Sequence, residues 1–150
     1  EGFAMIRTLT AAALTAMLAL PAYADFEHRS SNDDVATVMD RLEQAVRAAG
    51  AMVVARVDHS GAAEGVGMEL DDAELLIFGN PQLGTQAIQE DIRAGLFLPL
   101  RILVYRDGDE TVIFWQEPGE MLDDLDIDDD AEYLERMEEA LETFAEAAAG

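Results

Sequence analysis

LRILVYRDGDETVIFW, residues 100–115, carries the clearest structural signal in the chain. Two runs rich in β-branched and aromatic residues, Leu100–Tyr105 and Thr111–Trp115, flank Arg106-Asp-Gly-Asp-Glu110. Residues of that kind fit a pleated, half-buried surface, and an Asp-Gly pair between two such runs marks a β-hairpin. The local pattern therefore predicts two antiparallel strands joined by a tight turn.

Working outward, each neighbouring segment adds one element. Glu74–Phe78 is a short apolar run, stopped by Gly79-Asn80-Pro81 and read as a strand. Residues 82–94 then carry Ala87, Ile88 and Ile92 at helical spacing, with Gly95 closing the helix and a Pro99-containing loop leading to the hairpin. Further upstream, Ala51–Val57 is β-branched and apolar, and Asp58-His59-Ser60-Gly61 ends it. Between the two strands, residues 62–68 favour a short helix that Gly65 and Gly67 weaken. Val35, Val38, Met39, Leu42, Ala45, Val46 and Ala49 form one face of a first helix, with Ser31 or Asn32 as its cap and Gly50 at its end. Downstream of Pro118-Gly119, an acidic loop leads to a last helix over 131–148, with Leu134, Met137, Leu141 and Phe144 on one face and a row of Glu on the other. The predicted fold is α+β, a four-stranded, mostly antiparallel sheet with helices packed on one face. The domain runs over 33–118, a polar leader over 25–32 precedes it, and 119–150 supplies the acidic loop and a C-terminal helix that packs on it.

The first 24 residues read differently. Met5 is the natural start, with Glu1–Ala4 as extra N-terminal residues; Arg7 is a positive n-region, and Leu9–Leu20 an apolar run too short to span a bilayer comfortably. Pro21-Ala-Tyr-Ala24 supplies an A-x-A cleavage site, so 1–24 is read as a secretory signal peptide cut before Asp25. The expected location is the periplasm or the exterior, with no stable membrane anchor after cleavage.

Composition limits the chemistry. The chain has no cysteine, so disulfides, thiol nucleophiles and C-x-x-C haem attachment are excluded. Its net charge is −23 and every basic residue is Arg. Such a surface repels nucleic acid at long range and favours solubility in a saline setting. The strand–glycine–helix stretch LLIFGNPQLGTQ, 75–86, has no Lys and no phosphate-loop spacing. Two histidines and no thiolate leave too little for a zinc site. Asp58-His59-Ser60 has triad residue types, but on a continuing strand His59 faces away from its neighbours. Acids at Asp124, Asp126, Asp128, Asp130, Glu132 and Glu135 follow the rhythm of a calcium loop, yet Asp129 stands where the sharp turn needs Gly. No metal or other cofactor is expected.

Arg56-Val-Asp-His-Ser60, Gly67-Met-Glu-Leu70, Glu74-Leu-Leu-Ile-Phe-Gly-Asn-Pro81 with Gly84-Thr85, Leu98-Pro-Leu-Arg-Ile-Leu-Val-Tyr105 and Trp115-Gln-Glu-Pro118 occur in this order. Together they resemble the domain-of-unknown-function family numbered 302, over roughly Asp33 to Pro118, with the acidic tail after Gly119 outside the resemblance. The resemblance implies a compact α+β fold that often self-associates, and it carries no activity. Its matching positions offer His59, Phe78, Asn80, Pro81, Pro99 and Leu100 as a binding site without a catalytic role, and Arg101 adds an anion partner. The expected function is a non-catalytic ligand-binding or interaction module. Its expected partners are a small molecule or a second copy of the chain. The alternatives are an enzyme using His59 as acid/base, helped by Glu74 or Glu117, and a structural homo-oligomer burying Phe97, Phe114 or Trp115 between chains.

Overall fold

The structure is a computed structural model in which residues 26–150 are described. The signal peptide read over 1–24 lies outside the described residues. Along the chain run β1 (Phe26–Ser31), α1 (Val35–Ala48), β2 (Met52–Asp58), α2 (His59–Gly65), β3 (Ala73–Gly79), α3 (Pro81–Glu90), a 3₁₀ turn (Ile92–Leu96), β4 (Leu100–Asp107), β5 (Glu110–Gln116), α4 (Pro118–Leu122) and α5 (Glu132–Ala149). The strands form one sheet in the order β1-β5-β4-β3-β2, with every neighbouring pair antiparallel. The predicted α+β class with an antiparallel sheet holds.

The hairpin that anchors the reading is β4–β5, paired from Leu103↔Phe114 to Asp107↔Glu110. Its two-residue loop is Gly108-Asp109, and Gly108 takes φ 57, the conformation a type II′ turn needs at its first central position.

The sheet has five strands, not four. The extra strand is β1, which falls in the segment read as a polar leader. FEHRSS has one apolar residue in six and shows no hydrophobic alternation. It is a strand because of what it meets, not because of its own propensity. Its backbone pairs with β5 from Phe26↔Gln116 to Ser31↔Thr111. Phe26 stacks on Phe114 with centroids 5.0 Å apart, and Arg29 lies 5.7 Å over the Trp115 ring while pairing with Glu142. Ser31, expected as a helix cap, donates its hydroxyl to the Ala149 carbonyl at 2.8 Å. The cap of α1 is Asp34, whose carboxylate accepts the Thr37 N–H at 2.8 Å. That bond holds the Asp34 pKa below its ordinary value.

Alternation along the strands puts Leu76, Phe78, Ile102, Val104, Ile113 and Trp115 on one face, where they meet Val38, Met39, Leu42 and Val46 of α1 and Met137, Leu141 and Phe144 of α5 in a single core. The 3.6-residue periodicity of α1 and α5 was the correct guide to these positions.

The acidic segment before α5 is held against the domain. Asp91 accepts the Arg93 N–H at 2.9 Å, pairs with the Arg93 guanidinium, and accepts the Asp126 N–H at 3.1 Å. These hydrogen bonds, chiefly the one donated by the Arg93 guanidinium, keep the Asp91 carboxyl far below the usual carboxylate range although the residue is only 7% exposed. The first turn of α5 buries Tyr133, whose hydroxyl has no hydrogen-bond partner among the described residues. Burial, with the nearby Glu90 carboxylate, pushes its pKa up to about 12.

Candidate functional site

The two ends of the sheet have different chemistry. At one end β3 finishes, α3 begins and β4 starts. Asn80 caps α3 by accepting the Gln82 N–H at 3.0 Å, and Pro81 takes the first helical position, where its missing N–H costs nothing. This local chemistry turns the chain from β3 across the sheet end. The next connection returns through Leu98-Pro99, a cis peptide, into β4.

A cavity of about 360 Å³ lies at this end. One wall comes from the end of β3 and the start of β4, with Phe78, Gly79, Pro99 and Leu100. A second comes from α3, with Leu83, Gly84, Thr85 and Ile88. The third is α5, with Arg136, Met137, Ala140 and Phe144. Met52 and Val54 of β2 stand at the rim, each more than half exposed (56% and 55%), at the point where a bulge between Val53 and Ala55 shifts the register. Phe78 meets Phe144 edge-on, with centroids 5.6 Å apart, and this contact joins the cavity wall to the core. The volume falls within the range of small-molecule sites, roughly 300–1,000 Å³, and the lining is mostly apolar with a few polar groups, as such sites are.

Of the seven residues singled out from the sequence, Phe78, Asn80, Pro81, Pro99 and Leu100 line this cavity. His59 does not. It begins α2 at the far end of β2, and Asp58 pairs with Glu74 while Met52 pairs with Gly79. At about 3.3 Å per residue, the length of the strands puts His59 roughly 20 Å from Asn80. The grouping of His59 with Asn80 in one binding site is therefore corrected. Arg101 is displaced as well. It pairs with Ile77, on the sheet face opposite Phe78 and Leu100, and is exposed with its guanidinium 3.4 Å from the Phe97 carbonyl.

The structure also sorts the alternatives. Asp58 is the N-cap of α2, accepting the Gly61 N–H at 2.7 Å and the Ser60 hydroxyl at 2.8 Å, so its carboxylate is engaged in the turn and its pKa lies below its ordinary value. A Cβ on Gly61 would collide with that carboxylate and push it out of its capping position. His59 is exposed and makes no hydrogen bond or ion pair with a described residue. Glu74 is bound to Arg56. Glu117 accepts the Trp115 indole N–H at 3.1 Å at the other end of the sheet, and burial raises its pKa. Among the described residues no acid or base is hydrogen-bonded to His59, the contact that acid/base catalysis would require. Trp115 is 2% exposed in its own core, so it is not available to an interface between chains. Among the described residues no group of three or more His, Asp or Glu is placed to hold a metal ion, the 124–135 run included.

The residues that sequence reasoning missed are those of α5 and the rim. Their apolar spacing was visible, but nothing local to Met137, Ala140 or Phe144 says that they face α3 across a space.

A two-layer α+β domain with an antiparallel sheet and an apolar cavity at one sheet end defines the class of protein. The chain belongs to the family described as Domain of unknown function DUF302, matched over residues 26–144. The match takes in β1 and most of α5, so the acidic tail placed outside the resemblance belongs to the family domain. The fold is also that of a crystal structure of an uncharacterized conserved protein DUF302 from Bacillus stearothermophilus, with a TM-score of 0.75 at 18% identity, covering 82% of this chain and 97% of that one. Curated relatives include proteins named fluoride-specific ion channel FluC 1 from Brucella suis biovar 1 (strain 1330) and FluC 2 from Brucella melitensis biotype 1. Each is 41% identical over 78 residues, 52% of this chain, but only 31% and 29% of the respective relatives. The chain thus spans less than a third of their length.

Proposed function

We propose that this protein is a non-catalytic binding module that takes a small, largely apolar molecule into the cavity between α3, α5 and the end of β3. The cavity itself carries the reading, because it is the place where an apolar lining, a helix start and exposed apolar rim residues come together. With the signal peptide read over 1–24, binding takes place in the periplasm or outside the cell. The similarity to proteins named as channels covers under a third of their length, and no helix among the described residues is long and apolar enough to cross a membrane.

The test is calorimetric titration with 1-octanol, a neutral probe with an aliphatic tail. Wild-type protein is expected to bind it. Ala140→Phe, which fills the cavity from α5, is expected to weaken binding at least about ten-fold, the equivalent of 1.4 kcal/mol. His59→Ala, at the far sheet end, leaves it unchanged. Absence of binding, or binding indifferent to Ala140→Phe, rejects the proposal.

Self-association is the second reading. Leu75, Ile77 and Leu103 are half-buried on the sheet face away from the core, and pairing of β3 with β4 puts Leu75 directly beside Leu103. A homodimer through that face predicts a doubled mass in sedimentation equilibrium; a monomer at high protein concentration rejects it.

A further inference from the structure

The chemistry of the cavity rim goes beyond apolar binding. We infer that the ligand is an amphiphile, with an apolar body in the cavity and one anionic head group, a carboxylate or a phosphate, received by Arg136. The inference rests on the binding reading above.

Three observations carry it. First, 32 of the 150 residues are Asp or Glu, yet the cavity lining contains neither, and its single charged residue is Arg136. Second, Arg29, Arg41, Arg47, Arg56 and Arg93 each have a carboxylate within 4 Å. Arg136 has none among the described residues; Arg101 and Arg106 also lack one, but they donate to the Phe97 and Gly108 carbonyls, whereas Arg136 makes no such bond. Glu132 stands one turn before it on α5, at the i,i+4 spacing and in the order that favour an ion pair, and the pair is not made. In so acidic a domain, a guanidinium without a carboxylate beside an acid-free cavity is a local reversal of the general charge. Third, the remaining polar groups can donate. The Asn80 side-chain oxygen is occupied by the Gln82 N–H, which leaves its amide N–H groups, and Thr85 adds a hydroxyl. A cationic head would find no carboxylate in the lining, whereas an anionic one finds a fork of guanidinium donors.

The net charge of −23 opposes any anion. At physiological ionic strength, however, the screening length is about 8 Å, so distant carboxylates count for little against a direct charged hydrogen bond at the rim. The binding preference should accordingly change only modestly with salt.

The experiment compares four probes with one tail, octanoate, octyl phosphate, 1-octanol and octylammonium, by calorimetry on the purified protein. Octanoate or octyl phosphate is expected to bind about five- to ten-fold more tightly than 1-octanol, with octylammonium weakest. The tighter of the two anions identifies the head group. Arg136→Gln brings the anions to the level of 1-octanol measured on the same variant, while Arg136→Glu puts octylammonium above octanoate. Arg136 is exposed, so these variants leave the core intact. Equal binding of octanoate, octyl phosphate and 1-octanol to wild type, or a preference that survives Arg136→Gln, overturns the head-group inference while cavity binding stands. Anion binding that Ala140→Phe leaves unchanged puts the anion elsewhere on the surface and overturns it too. Failure of all four probes removes the cavity reading itself.

Discussion

A chain that ends at Gly119 is expected not to fold. The hairpin, the family motifs and the first helix all lie before that point, and an α+β domain over 33–118 looks complete on sequence. The structure argues otherwise. Helix α5 buries Tyr133, Leu134, Met137, Leu141, Phe144, Ala145 and Ala148. Leu141 and Phe144 stand against the sheet in the same core as Phe78, Ile113 and Trp115. Truncating one buried Leu, Met or Phe to Ala costs about 2–5 kcal/mol, and a whole domain is stable by only about 5–15 kcal/mol. Removing α5 takes out several such residues at once and exposes one face of Phe78 and Trp115 to water. It also removes the Ala149 carbonyl that holds Ser31 and the Glu142 carboxylate that holds Arg29, so β1 loses its ties to the helix layer. Circular dichroism of the 26–119 fragment should show no cooperative thermal transition. A cooperative melt with native-like strand signal would mean that the sheet and α1 suffice, and that α5 is an accessory to the domain.

How much of this was legible depended on where each residue finds its partners. The hairpin, β2, β3, α1 and α5 could be read because their signals are local: alternation, helical spacing, and turn residues within a few positions. β1 could not, because FEHRSS becomes a strand through Phe114, Trp115 and Glu142, more than 85 residues away in the chain. The cap of α1 was misplaced by two or three positions because Ser31, Asn32 and Asp34 are all good N-caps, and only the distant Ala149 carbonyl takes Ser31 out of competition.

The candidate site divides in the same way. Asn80, Pro81, Pro99 and Leu100 came from the family resemblance, and the structure brings them together because the end of β3 and the start of β4 meet there. His59 was grouped with them through the family resemblance and because it too ends a strand. The antiparallel register of β2 and β3 sends it to the opposite end of the sheet. Arg101 was one residue from the cavity in sequence, but the two-residue period of β4 turned it to the other face. Arg136 gave no sign at all, since in the sequence it is one more charge on a Glu-rich helix face. Its significance comes from the acid-free cavity it lines and the carboxylates it fails to meet.

The same contrast between met and unmet partners predicts the outcome of Arg56→Met. Arg56 lies on the helix-facing side of β2, with its guanidinium 2.6 Å from Asp40 and 3.6 Å from Glu43 of α1 and hydrogen-bonded to Glu74 of β3. The hydrogen bond it donates to Glu74 is the main reason its pKa is held above the ordinary arginine value. The three carboxylates do not depend on it equally. Asp40 has a 72% exposed side chain and can return to water. Glu43 keeps Arg47, 2.7 Å away on the same helix. Glu74 has a side chain only 15% exposed and no other cation within 4 Å among the described residues. Removing one partner of a buried pair costs about 3–5 kcal/mol, because the other charge is left stranded; the partial exposure of Arg56 reduces this to about 2–3 kcal/mol. Arg56→Met should therefore lower the urea-unfolding free energy at pH 7 by that amount. Adding Glu74→Gln to Arg56→Met should restore more than half of the loss, since the stranded charge is gone, whereas adding Asp40→Asn should restore little. If Arg56→Met costs under about 0.5 kcal/mol, the cluster is an ordinary surface ion pair and the joint between α1 and the sheet rests on the apolar core alone.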